Sequence, residues 1–141
     1  MLDLKFLGRG AAFYPVEGNT NAYFEAGGDL FFLDSGESAF EKVYRRFDLT
    51  RYGRVYVLLT HLHADHAGSL ASLMSYTHCV LKIQVTVVHP VDTVVRMLAL
   101  QGIAPDFYRY QPALDEDCPV SARPVEVPHA QDMRASGYVI S

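Results

Sequence analysis

The chain has 141 residues, 50% of them hydrophobic and 20% charged, with 12 Lys and Arg against 16 Asp and Glu for a formal net charge of −4. That balance excludes a disordered or fibrous polypeptide, gives no global attraction to phosphate polymers, and provides one domain's worth of chain, residues 1–141, able to bury a core. No stretch approaches the roughly 20 apolar residues that span a bilayer, and Met1-Leu-Asp-Leu-Lys-Phe6 lacks the plan of a signal peptide, so no membrane association is expected and the expected location is cytoplasmic.

In chain order, Asp3 to Leu7 reads as a first strand, ended by Gly8-Arg-Gly10. Asn21 to Ala26 and Asp29 to Asp34 flank Gly27-Gly28, a two-residue hairpin signal. Ser38 is placed to cap a helix in which Phe40, Val43, Tyr44 and Phe47 recur at helical spacing. Arg54 to Thr60 is rich in β-branched and aromatic residues and predicts a buried strand. Ser69 to Tyr76 predicts a second helix, Val80 to Val88 an alternating strand, and Asp92 to Gln101 a third helix before Gly102. Pro105 to Pro119 reads as an aromatic loop carrying Phe107, Tyr108 and Tyr110, which would either line a substrate cleft or cover the core. Pro124 to Val127 predicts a short strand delivering His129, and Tyr138 to Ile140 begins another.

The chemistry concentrates directly after the buried strand. Thr60-His-Leu-His-Ala-Asp-His-Ala-Gly68 places three imidazoles and a carboxylate within six residues, from His61 to His66. If the chain stays extended through His61 and His63, the two-residue period turns both rings to one side, where both can face one ion. Asp65 and His66 follow where the chain turns, so they would point toward a neighbouring position, and two adjacent metals are expected. Imidazole and carboxylate suit Zn²⁺, Fe²⁺ or Mn²⁺, and without a cysteine the cluster does not read as a closed structural thiolate site. Cys79 and Cys118 are isolated and read as reduced thiols.

Other residues carry weaker signals. Asp34 is placed to accept the Nδ1 proton of a metal-binding histidine, or only to start a turn. His78 and His89 lie outside the motif and read as structural, and Asp132 as a surface carboxylate. Arg45, Arg46, Arg51 and Arg54 form the sole basic cluster, which reads first as a solvated helix end and loop; nucleic acid as a partner is open but unsupported by net charge.

With His61, His63, Asp65 and His66 matching His-x-His-x-Asp-His in full, the chain resembles the metallo-β-lactamase-fold hydrolases. The opening Phe6-Leu-Gly-Arg-Gly-Ala-Ala12, then Gly18-Asn-Thr-Asn-Ala-Tyr-Phe24 and Leu30-Phe-Phe-Leu-Asp-Ser-Gly36, is most similar to the ribonuclease Z and phosphodiesterase branch. Val127-Pro-His129 followed by Gly137-Tyr-Val-Ile140 resembles the segment carrying that family's third histidine. The resemblance implies an α/β (α+β) fold, the N-terminal portion of an αβ/βα sandwich. It implies two divalent ions, zinc first with manganese or iron as alternatives: His61, His63 and His129 on one, Asp65 and His66 on the other. It implies hydrolysis by a metal-bound hydroxide with Asp65 as ligand and proton acceptor, acting on a phosphodiester as ribonuclease Z or a cyclic-nucleotide phosphodiesterase does. Esters, thioesters and lactones remain open as substrates, and so does a catalytically incomplete, metal-binding half of an assembly. The family's bridging carboxylate and last histidine have no counterpart before Ser141, so the expectation is either a fragment or truncated product, or a second chain, an identical one or a complementary half, that supplies them; a lone monomer is not expected to be the stable species.

Overall fold

A computed structural model describes residues 1–141. Its centre is a six-stranded sheet in the order β1 (Lys5–Gly8), β2 (Asn21–Ala26), β3 (Asp29–Leu33), β4 (Val55–Leu58), β5 (Thr86–Val88) and β6 (Arg109–Gln111). The first three strands are antiparallel neighbours; from β3 onward the pairing is parallel. Gly27 and Gly28 both have positive φ, 57° and 85°, the backbone that a tight two-residue hairpin between β2 and β3 requires.

Parallel strands need crossovers, and helices supply them. The helices α1 (Ala39–Arg46), α3 (Leu70–Tyr76) and α4 (Thr93–Leu100) cover one face, on which Leu30, Phe32, Val55, Val57 and Val87 meet Val43, Leu73 and Leu98. The alternate residues of the same strands point the other way: Phe24, Phe31, Tyr56, Leu58 and Val88 pack under an antiparallel hairpin, β7 (Ala122–Ala130) and β8 (Met133–Ile140), through Ala122, Tyr138 and Ile140. Phe24, Phe31 and Tyr56 stack face to face across three adjacent strands, with centroids 4.8 Å apart at each step. The result is a helix layer, a six-stranded sheet and a two-stranded second sheet, the α/β architecture expected. The outward face of the hairpin leaves Val127 and Val139 exposed. No helix is long and apolar enough to cross a membrane.

Several elements differ from the sequence expectation. The first strand is Lys5–Gly8 rather than residues 3–7. Ser38 does not cap α1 with its side chain; its hydroxyl instead accepts the backbone N–H of Asn19 at 2.8 Å. Most of Val80 to Val88 is not a strand. Helix α3 runs on through one wide turn, Thr77–Leu81, where the buried Thr77 hydroxyl donates back to the Leu73 carbonyl at 2.9 Å, and only Thr86–Val88 joins the sheet. The 105–119 segment is not a loop throughout: it contains edge strand β6, and its aromatic residues serve the core. Tyr108 is buried, Phe107 and Tyr110 pack against the helix-side cluster, and the Tyr110 hydroxyl donates to the His89 carbonyl at 2.8 Å. Residues 138–140 are the end of the long strand β8, hydrogen-bonded along β7.

Candidate metal centre

The site forms where parallel strand β4 ends. Sheet pairing stops at Leu58, and His61 and His63 do not continue the strand as expected. His63 sits instead at the N-terminal boundary of a one-turn helix, α2 (Ala64–Ala67), and that turn carries Asp65 and His66. Both histidines still face the same point, because the turn folds back over the strand end. The ring of His61 lies 4.9 Å from that of His63, 4.1 Å from His66 and 4.3 Å from His129. His129 arrives from β7, where the register shifts between Val127 and Ala130, and its Nε2 comes within 3.0 Å of His63 Nδ1. One nitrogen from each of His61, His63 and His129 lies within 4.8 Å of the others, close enough for all three to hold one ion.

The donor set fits a divalent metal. A carboxylate only accepts, so the Thr60 hydroxyl proton goes to Asp34 Oδ2, 2.9 Å away. The Thr60 oxygen is then free to accept from His61 Nδ1 at 3.0 Å, which puts the lone pair of His61 on Nε2. That Nε2 is buried and has no hydrogen-bond partner. An orphaned acceptor in such a place is costly unless something binds it. Burial, then the neighbouring His66, His129 and His63, push the His61 pKa down to about 4, so the ring is neutral and ligand-competent at neutral pH.

Asp65 and His66 form an adjoining pair. His66 Nε2 lies 3.1 Å from Asp65 Oδ2, while its Nδ1 lies 2.6 Å from Asp34 Oδ2. Burial alone would lower the pKa of His66, but the hydrogen bond and charge of Asp34, with those of Asp65, outweigh it and raise it. A positive charge between His66 Nε2 and Asp65 is thus favoured, whether a proton or a cation supplies it. Asp34 is held at φ 69°, a left-handed conformation that Asp tolerates better than most residues, and its other oxygen accepts the Thr60 backbone N–H at 2.7 Å.

A supporting layer fixes α2. Ser35 N–H donates to the His66 carbonyl at 2.7 Å, Glu37 N–H to the Ala64 carbonyl at 3.1 Å, and Asn21 Oδ1 accepts from Gly36 N–H at 2.6 Å. Gly36 lies so close to the Asp65 backbone carbonyl that no side chain fits there. On the open side, a cavity of about 420 Å³ is lined by Phe13, Glu37, His63, Asp65 and His129.

At one end of the sheet His61, His63 and His129 converge, with the Asp65–His66 pair adjoining them. Asp34 lies where the first of its two readings requires, with its Oδ2 2.6 Å from His66 Nδ1. His78 stacks on Phe107 at 4.0 Å, and His89 is buried with its Nδ1–H donating to the Leu59 carbonyl at 3.0 Å, both away from the cluster. Asp132 is exposed in the turn of the β7–β8 hairpin. Both cysteines are free. The basic cluster is partly neutralised, Arg54 by Asp29 at 2.9 Å and Asp117 at 3.0 Å, Arg45 by Glu41 at 3.0 Å. Sequence reasoning missed Thr60, Gly36, Glu37 and Phe13. Thr60 and Gly36 were within reach, since each adjoins a motif; nothing in the sequence marked Glu37 or Phe13.

The fold that carries this site is shared with solved structures of the metallo-β-lactamase fold. YhfI from Bacillus subtilis, a metallo-β-lactamase fold protein, superposes with a TM-score of 0.76 at 14% identity, over 99% of this chain and 58% of its own. A diphosphatase of the PhnP family gives 0.72 at 16%, over 99% and 62%, and the short form of human tRNase Z gives 0.66 at 20%, over 98% and 64%. The chain thus has the metallo-β-lactamase fold and spans 58–64% of the length of these structures. Within that fold its sequence is matched over residues 2–118 by the model of the anti-Pycsar protein Apyc1, and the chain belongs to that family. His129 and the β7–β8 hairpin lie beyond the matched residues. No curated protein matches the sequence.

Proposed function

We propose that this protein is a metal-dependent hydrolase of phosphodiesters, with His61, His63 and His129 holding one divalent ion and Asp65 and His66 contributing to a second, zinc first with manganese or iron as alternatives. The observation that carries the reading is the convergence of three histidine nitrogens within 4.8 Å around a buried, partnerless His61 Nε2. A divalent ion supplies Lewis acidity, lowering the pKa of a bound water from about 15.7 to near 7, and paired ions suit the in-line displacement at phosphorus. The chain's own residues do the rest. Thr60 and Asp34 set the tautomers of His61 and His66, turning the Nε2 of each toward the donor cluster. Asp65, beside His66 Nε2 and on the cavity wall, accepts the proton of the attacking water. The phosphodiester substrate, of the ribonuclease Z or cyclic-nucleotide kind, enters through the cavity between Phe13 and His129.

The second ion has two donors here against three at the first, so we assign its remaining ligands to a second copy of the chain or a complementary segment. The outward hairpin face with exposed Val127 and Val139 supports such a contact.

The test is hydrolysis of bis(p-nitrophenyl) phosphate with added Zn²⁺ or Mn²⁺, beside elemental analysis and native mass on the same sample. About two ions per chain in a dimer, with activity abolished by His63→Ala, is the expected result. Activity that survives His63→Ala, or a histidine cluster that takes up no metal, would overturn the assignment.

A further inference from the structure

His89, immediately after β5, has every polar atom engaged but one. Its backbone N–H donates to the Gln111 carbonyl at 3.1 Å, and its own carbonyl accepts the Tyr110 hydroxyl at 2.8 Å. Nδ1–H donates to the Leu59 carbonyl at 3.0 Å; a carbonyl can only accept, so the lone pair of the ring lies on Nε2. Nε2 makes no hydrogen bond within the protein, although the residue is only 2% exposed. Burial lowers the pKa of the ring, which keeps it neutral and its lone pair available at neutral pH. An acceptor so enclosed and without a partner is costly. The ring lines a cavity of about 240 Å³, and there a partner has room.

The cavity lies between the tip of the β7–β8 hairpin, the start of α4 and Leu62, and none of the five candidate metal donors is on its wall. Besides the neutral acceptor of His89, the wall carries the carboxylate of Asp132 and the guanidinium of Arg134. Arg134 approaches Glu126 at 3.3 Å, but the two side chains are 62% and 66% exposed, a pairing too well solvated to withhold the guanidinium from a ligand. Leu62, Val91 and Met133 supply an apolar surface. A simple anion would face Asp132 and a simple cation Arg134, so the wall suits a molecule that carries both charges. Two neighbouring acceptors, His89 Nε2 and the Asp132 carboxylate, match the several N–H donors of an ammonium, and Arg134 matches a carboxylate. A volume below the roughly 300–1,000 Å³ of drug-sized pockets limits the occupant to a small molecule. We infer that this cavity binds a free aliphatic α-amino acid, its ammonium held by His89 and Asp132, its carboxylate by Arg134 and its side chain by Leu62, Val91 and Met133. The inference stands apart from the phosphodiesterase reading, since it uses none of that site's donors.

The test is calorimetry of L-leucine on the protein as purified, beside 4-methylpentanoate, which lacks the ammonium, and 3-methylbutylamine, which lacks the carboxylate. The expected result is saturable binding of one leucine per chain, with either analogue about tenfold weaker or worse. Asp132 and Arg134 are both exposed, so Asp132→Asn and Arg134→Gln leave folding untouched, and each should weaken leucine binding by about tenfold. His63→Ala should bind leucine unchanged, which separates this cavity from capture of the amino acid by an ion at the histidine cluster. In ¹⁵N-histidine spectra the Nε2 resonance of His89, identified by its loss in His89→Gln, should move as leucine is added. No leucine binding, equal binding of either analogue, unchanged affinity in either wall variant, a stationary His89 Nε2 resonance, or loss of binding in His63→Ala would overturn the inference.

Discussion

Asp34→Asn probes the site at its most constrained point. The side chain keeps its shape, and Asn also tolerates the left-handed backbone at φ 69°, so the turn survives. What changes is the direction of the hydrogen bonds. Asp34 now accepts from three donors: Thr60 N–H at 2.7 Å, the Thr60 hydroxyl at 2.9 Å and His66 Nδ1–H at 2.6 Å. An amide that keeps its oxygen on Thr60 N–H must turn its NH₂ toward the other two. His66 must then offer a lone pair at Nδ1 and carry its proton on Nε2, the atom that faces Asp65. The Thr60 hydroxyl, refused by the amide, donates to His61 Nδ1 instead and drives that proton to the buried Nε2 as well. Both ligand nitrogens are thereby blocked. The expected loss of zinc affinity is about 10–100-fold, or about 1.4–2.7 kcal/mol, the usual scale for losing the partner that orients a ligating histidine. Chelator-competition titration of Zn²⁺ measures it, with circular dichroism of the metal-free protein as a control for folding. An Asp34→Asn protein that stays folded and binds zinc as tightly as the unsubstituted chain would refute the tautomer argument.

The metal-free protein should lose stability in acid through His61. Its folded pKa is about 4 against 6.5 for the free side chain, so its contribution is complete above pH 6.5 and is lost as pH falls toward 4. His66 has the opposite sign, its folded pKa being raised, and its contribution is complete below 6.5 and lost as pH rises through that folded value. Urea midpoints between pH 7.5 and 4.5 should therefore fall less steeply for His61→Asn than for the parent; identical slopes would contradict the assignment. Gly36→Ala forces a methyl group against the Asp65 carbonyl, so it should cost about 1–3 kcal/mol and weaken metal binding by moving α2, both read from one melting series with and without zinc. Phe31→Ala opens a hole between Phe24 and Tyr56 and should cost about 3–5 kcal/mol in denaturant unfolding; a cost below 1 would show that the stack is not packed as described.

The fold and the donors differ in how far the sequence reveals them. The β2–β3 hairpin was legible because Gly27-Gly28 separates two runs of strand formers, and β4 because every residue from Val55 to Leu58 is apolar or aromatic and buried. The five candidate donors were legible because clustered imidazoles have few other uses. What failed was extent. Val80 and Leu81 suit a strand, yet they fall in the wide turn that prolongs α3, where Thr77 bonds back to the Leu73 carbonyl. His61 and His63 look like alternate strand residues, but they converge by a turn that depends on Asn21, Ser35 and Gly36, which bond or crowd α2 from another part of the chain. Tyr108 and Tyr110 looked equally suited to a cleft or a core, and only the helices above them decide for the core. Phe13 gave no signal because exposure beside a distant histidine is a property of the assembled surface alone.

His129 is the donor most dependent on tertiary structure, and its placement explains why the hairpin docks where it does. A two-stranded hairpin is marginal by itself. Beyond its apolar face, β8 is fastened to the first sheet at two neighbouring points: the Tyr138 hydroxyl donates to the Leu59 carbonyl at 2.8 Å, and Ser136 N–H donates to the Thr60 carbonyl at 2.9 Å. Both attachments fall on the two residues that precede His61. The segment that launches the histidine motif is thus the same one that anchors the hairpin carrying His129. An ion shared by His61, His63 and His129 adds a third attachment between the layers. At a concentration 100 times its dissociation constant it would contribute about 2.7 kcal/mol, comparable to the two hydrogen bonds together. An ion held there would couple metal binding to closure of the second sheet onto the first.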